Sequence, residues 1–173
     1  VIKNPISTTN MTGFFIICAS LCVTVFARAD SMSRRARDIN QAVLAAETLA
    51  EEIKAGKTES LGDGLPLADL DSYGQLTAWW DSEAGAESRA RAEEIREAAD
   101  FKSYAPVWDS DWNRYPDAGA LPEGSEASYR AAVLCGTVDN MQMTEIVVMR
   151  YDRGAGDKGN VLYALSADQY VKP

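Results

Sequence analysis

The chain has 173 residues, with 26 Asp and Glu against 17 Lys and Arg for a net charge of −9, and it contains no histidine. The lack of histidine excludes Ser-His and Cys-His nucleophile pairs and most zinc centres. Residues 1–57 carry seven basic and five acidic side chains, residues 58–173 ten and twenty-one. The second part is therefore a poor partner for nucleic acid, whose phosphates are held by clustered Lys and Arg.

The stretch from Met11 to Gly56 reads as one helix. Its first part, Met11 to Ala27, has no charge, and its second, Arg28 to Lys57, has charges at helical spacing and no Pro or internal Gly before Gly56. Such a helix would be about 70 Å long, more than a small domain buries in its own core. Ser7, Thr8, Thr9 and Asn10 offer N-caps after Pro5, and Gly56 with Lys54 and Lys57 forms the stop. In the second half Met32, Ala36, Ile39, Val43, Ala46, Ala50 and Ile53 recur at steps of four and three, a seam for packing, with Leu44 and Leu49 widening it. Asp30 with Arg34, and Arg34 with Asp38, are spaced to pair along the helix.

The uncharged run has two readings. Seventeen residues is the short end of a membrane span, and Ala27-Arg28-Ala29 fits the small-x-small pattern of a signal-peptidase site. The run is longer than the apolar core of most signal peptides, and the helical pattern passes through Ala29 unbroken, which favours a retained anchor. Lys3 is the sole basic side chain before the run, whereas Arg28, Arg34, Arg35 and Arg37 follow it. The positive-inside rule would then put the second part in the cytoplasm.

Residues 58–75 form a connector rich in Gly, Asp and Ser, with Leu65, Leu67 and Leu70 pinning it to a core. Leu76–Asp81 is predicted as a short strand, Glu83–Phe101 as a surface helix with Ala92, Ile95, Ala99 and Phe101 inward, and Ala105–Asp109 as another short strand. Tyr129–Val138, Met143–Asp152 and Val161–Val171 are predicted as three strands of an antiparallel meander, with turns at Asp139-Asn140 and Arg153–Asn160. The middle strand is apolar on both sides and so central, and the amphipathic half of the long helix covers one face. The expected organisation is an N-terminal segment (1–10), a membrane-embedded half-helix (11–27), an amphipathic half-helix (28–57) and an acidic α+β domain (58–173).

Residues suited to chemistry are few. Asp109, Asp111, Asn113 and Asp117 occupy the first, third, fifth and ninth positions of a calcium loop, but Arg114 stands where the turn glycine belongs and Ala120 where the bidentate glutamate belongs. Asp109/Asp111 and Asp69/Asp71 are carboxylate pairs that read as surface acids. The glycines of Gly154-Ala-Gly156-Asp-Lys-Gly159 lack the Gly-Lys-Ser/Thr ending of a phosphate loop and suit a hairpin. Trp79, Trp80, Trp108 and Trp112 suit core or interface packing as well as a ligand cage. Cys18, Cys22 and Cys135 form no disulfide framework and read as small buried hydrophobes. No catalytic residue, cofactor-binding residue or metal ligand is identified, and no small-molecule substrate is evident.

A long helix that is apolar first and amphipathic second, then a connector and a terminal antiparallel sheet, resembles the plan of type IV pilin-like proteins. The likeness is nearer to pseudopilins and minor pilins, and Arg28–Gly56 followed by Trp108-Asp-Ser-Asp-Trp112 and the meander is similar to pilin-like membrane proteins of Firmicutes. The resemblance implies a non-enzymatic subunit with an extracellular domain, held in the cell membrane by Phe14, Phe15, Ile16, Ile17, Leu21, Val23, Val25 and Phe26, whose partners are other pilin-like subunits met through this helix. Processing would fall between Gly13 and Phe14. Cys18 then stands at the fifth mature position, where the family has a glutamate, a departure that within the family implies a tip, priming or capping role. Two alternatives stay open: a single-pass accessory or sensory protein, and a secreted enzyme released after Ala29.

Overall fold

The computed structural model describes residues 6–62, 74–151 and 161–172, with side chains described from Phe15 onward except those of Gly74 and Gln75. The chain falls into two compact units, Val1–Asp38 and Ile39–Pro173.

Helix α1 runs over Ile6–Lys54. It starts upstream of the expected caps, so Ser7 to Asn10 lie inside it; no Gly or Pro between Ile6 and Met11 halts the hydrogen-bond ladder. Its end follows the sequence. Gly56 has φ +69, its N–H donates to the carbonyl of Ile53 at 2.9 Å, and the N–H of Lys57 donates to the carbonyl of Glu52 at 2.9 Å. This is the Schellman arrangement, which uses glycine because a Cβ is disfavoured in the left-handed region. Asp30 and Arg34 form the expected pair at 2.6 Å, largely in solvent.

The second unit is built on a six-stranded sheet of order β3-β2-β4-β5-β6, with β1 also pairing β4. The strands are β1 (Lys102–Tyr104), β2 (Val107–Trp108), β3 (Arg114–Tyr115), β4 (Tyr129–Val138), β5 (Met141–Arg150) and β6 (Val161–Tyr170). The expected meander is β4-β5-β6, antiparallel throughout. Asp139 and Asn140 have φ +48 and +63 and join β4 to β5 with Val138 opposite Met141, the left-handed pair that a tight hairpin requires. The second turn lies outside the described residues, as do Leu65, Leu67, Leu70, Asp69 and Asp71.

Both faces of the sheet are covered. On one, Ala42, Ala46, Leu49, Ala50 and Ile53 of α1 cluster with Trp108, Tyr129, Val133, Ile146 and Val148. On the other, helices α2 (Gly74–Trp80) and α3 (Ala86–Arg96) bring Leu76, Trp80, Ala92 and Ile95 to Leu134, Met143, Val147 and Met149. Alternation along β5 sends Ile146 and Val148 to α1 and Met143, Val147 and Met149 to the other layer.

Four expectations need correction. Of the expected α1 seam Ala46, Ala50 and Ile53 are buried, as is Leu49, but Met32 and Leu44 are exposed and Ala42, not the half-buried Val43, faces the core; the residues of α1 packed in the sheet cluster run from Ala42 to Ile53. Leu76–Asp81 is helical in α2: Leu76 and Trp80, four apart, are both buried, and a six-residue apolar run does not by itself distinguish the two periods. The surface helix is shorter than expected, preceded by a 3-10 turn at Glu83–Gly85 and ending at Arg96, so Ala99 and Phe101 fall beyond it. The strand expected at Ala105–Asp109 is narrowed to Val107–Trp108, with β1 ahead of it; Pro106 between them lacks an N–H, which divides the ladder.

Gly85 is tightly constrained. A Cβ there would lie 2.2 Å from the backbone oxygen of Trp79 and 2.7 Å from its carbonyl carbon. Gly85→Ala is expected to destabilise the domain by about 1–3 kcal/mol, since the obstruction is backbone and the α2–α3 corner must open. Urea unfolding of the detergent-solubilised chain checks it; an unchanged midpoint would show the corner to be slack.

Candidate functional site

The first feature with functional content is the apolar part of α1. Phe15, Ile16, Ile17, Leu21, Val23, Val25 and Phe26 are each more than 60 % exposed, and they lie all round the helix. Its most apolar 18-residue window has a mean hydropathy of 1.6, with none of it buried within the chain. The helix is long and apolar enough to cross a membrane. Its polar interruptions are internally satisfied: Ser20 Oγ donates to the carbonyl of Ile16 and Thr24 Oγ1 to that of Ser20, each at 2.8 Å. Contrary to the reading of all three cysteines as buried, Cys22 is exposed and Cys18 partly so. Only Cys135 is buried, and burial pushes its thiol up to about 11, which makes it unreactive.

The Asp109 loop owes its spacing to local folding. Asp109 Oδ1 accepts the N–H groups of Asp111 at 2.9 Å and Asn113 at 3.0 Å, and its Oδ2 accepts Asn113 Nδ2 at 2.9 Å and the Tyr115 hydroxyl at 3.3 Å. The Asn113 amide and these backbone donors hold the carboxyl below the usual carboxylate range. Asp117 caps a 3-10 turn at Ala118–Ala120 through the N–H groups of Gly119 and Ala120. Two of the four candidate calcium ligands thus serve as turn acceptors, the pattern Asp and Asn favour in loops. Among the described residues no group of three or more Cys, Asp or Glu is placed to share a metal ion.

The loop also sets the tryptophans. Trp112, at φ +63, stacks on Tyr129 with centroids 3.9 Å apart and lies 6.0 Å from Trp108. Beside them an open groove of about 290 Å³ is lined by Gln41, Leu44, Thr48, Glu52 and Arg114. Three of its polar side chains are already engaged. Arg114 makes a forked pair with Glu52 at 2.9 and 3.0 Å, Ser60 adds a bond to Glu52 at 3.0 Å, and Thr48 donates to the carbonyl of Leu44. The fork ties the end of α1 to β3. Trp80 is buried in the opposite layer under the Arg96 guanidinium, 5.2 Å from its ring centroid, and Trp79 packs at the margin of that layer.

A third cluster was not expected from sequence. Glu145, on central β5, is only 1 % exposed. Its Oε2 accepts the Ser166 hydroxyl at 2.6 Å and lies 3.5 Å from Arg91 Nε, while Arg91 Nη2 donates to Asp168. Burial raises the Glu145 carboxyl above its ordinary range, offset in part by Ser166, Ser88 and Arg91. The signal was available: a glutamate between Met143 and Val147 on one side of a strand apolar on both sides must be buried. Compared with known protein families, curated proteins and solved structures, the chain matches none of them.

Proposed function

We propose that the chain is a non-enzymatic, pilin-like structural subunit that joins, primes or caps a filament of the type IV pilus or type II secretion kind. One observation carries this reading. A single helix, Ile6–Lys54, is apolar and uncovered from Phe15 to Phe26 and buried against a sheet from Ala42 to Ile53. The first part would sit in lipid and exchange it for neighbouring helices on assembly; the second carries the domain. Lipid tails are as apolar as the helix, so packing and paired polar groups would drive that exchange. Cys18, in the place of the family's glutamate, suits a tip subunit, and the acidic domain would face outward. Protease added to intact source cells tests this orientation: digestion of the domain is expected.

A second reading is a single-pass accessory protein with a cytoplasmic domain, favoured by Arg28, Arg34, Arg35 and Arg37 directly after the apolar run. Protection of the domain from external protease, with digestion only after lysis, would select it and remove the filament reading.

A further inference from the structure

We propose that Glu145, Arg91 and Asp168 form an acid-tightened latch that fastens α3 to the centre and edge of the sheet, so that the domain is held more firmly in mildly acid than in neutral surroundings. Glu145 lies on β5 between Leu134 of β4 and Ser166 of β6, at almost zero exposure. From α3, Arg91 reaches both Glu145 and Asp168. From α2, Trp80 contributes its indole N–H, which donates to Ser88 Oγ on α3 at 3.2 Å. One guanidinium therefore faces two carboxylates. Asp168 is 41 % exposed and Glu145 1 %, so water solvates the first charge and not the second.

The contact between Arg91 Nε and Glu145 Oε2, at 3.5 Å, is too long for a strong hydrogen bond, and Glu145 Oε1 has no hydrogen-bond partner. A buried carboxylate so incompletely paired is costly. One proton removes the imbalance. Neutral Glu145 keeps the Ser166 bond, gains a donor hydrogen, and leaves Arg91 to Asp168. Because burial raises the folded-state pKa of Glu145, the folded chain binds this proton more tightly than the unfolded one. The stabilisation is complete below the unfolded pKa and is lost as pH rises through the folded one.

Three other perturbed groups titrate outside this window. The chain has no histidine. Asp100, which accepts the Thr137 N–H at 2.6 Å and its hydroxyl at 2.7 Å, is held below the carboxylate range by them, as Asp109 is by its loop, and Cys135 titrates on the alkaline side.

The test is urea unfolding of the full chain in mild detergent, followed by tryptophan fluorescence from about pH 4 to about pH 8, a range that starts at the ordinary glutamate value. The wild-type midpoint is expected to climb as pH falls. Glu145→Gln should flatten that slope and unfold at or above the wild-type midpoint at the neutral end. A flat wild-type profile, or a Glu145→Gln profile as steep as wild type, would overturn the latch. Should Glu145→Gln fail to fold, carbon-13 titration of side-chain carboxyls in the wild type reads Glu145 directly. A midpoint above the ordinary glutamate value of about 4.3 supports the proposal, and one at or below it refutes it. Asp168→Asn gives Arg91 to Glu145 alone and should lower the Glu145 midpoint; an unmoved midpoint would contradict the shared guanidinium.

Discussion

Leu49→Ala is expected to destabilise the domain by about 2–5 kcal/mol, the range for removing a fully buried leucine and leaving its space only partly refilled. Leu49 has no exposed surface and belongs to the cluster that joins α1 to Trp108, Tyr129, Val133 and Ile146. Domains of this size are stable by only about 5–15 kcal/mol, so the loss is a large share of the total. The informative comparison is Leu44→Ala, five residues earlier on the same helix. Leu44 is 57 % exposed, and its truncation should stay within about 0.5 kcal/mol. Urea unfolding of both variants in detergent separates the observed seam from the one the heptad spacing suggests. Equal effects at the two positions would mean that α1 is docked on the sheet through a wider or rotated face.

Leu21→Arg is expected to release the chain from membranes. A leucine at the centre of a span contributes about −0.3 to −0.6 kcal/mol to insertion and an arginine there opposes it by about 2.5–3.5 kcal/mol. The apolar run is short, so few other residues compensate. Alkaline carbonate extraction should leave the wild type and Leu21→Ala in the pellet and move Leu21→Arg to the supernatant. Retention of Leu21→Arg would mean that this face of the helix meets protein or water inside the membrane instead of lipid.

The sequence was most readable where one residue type has few conformational choices. Gly56 marked a helix stop and Asp139-Asn140 a turn, both realised with positive φ, and the apolar run Tyr129–Val138 ahead of that turn marked a strand with the observed bounds. It was least readable where tertiary contacts decide. The run Leu76–Trp80 satisfies either period, and only the second layer under the sheet selects the helix that buries Leu76 and Trp80. Ala42 carries little hydrophobic weight in a pattern, yet it is Ala42 that the helix turns into the core, while Val43, about 100° round the helix, is only half-buried. The acids at Asp109 to Asp117 followed a metal-loop spacing because turns and cation sites use the same oxygens; which role they serve depends on where the N–H groups point. Glu145 was legible in part: its place between Met143 and Val147 on a strand apolar on both sides marks it as buried, while the partner that faces it, Arg91, comes from α3 and is set by the packing of that layer.

Amino-terminal mass spectrometry of the protein from the membrane and from the sheared surface fraction of its source cell tests the filament account most directly. A chain beginning at methylated Phe14 and present in the surface fraction is the expected result, because it would show processing between Gly13 and Phe14 and entry into an assembly. A chain beginning at Asp30 would contradict the account, since the apolar half of α1 would then be discarded and the domain released without its anchor.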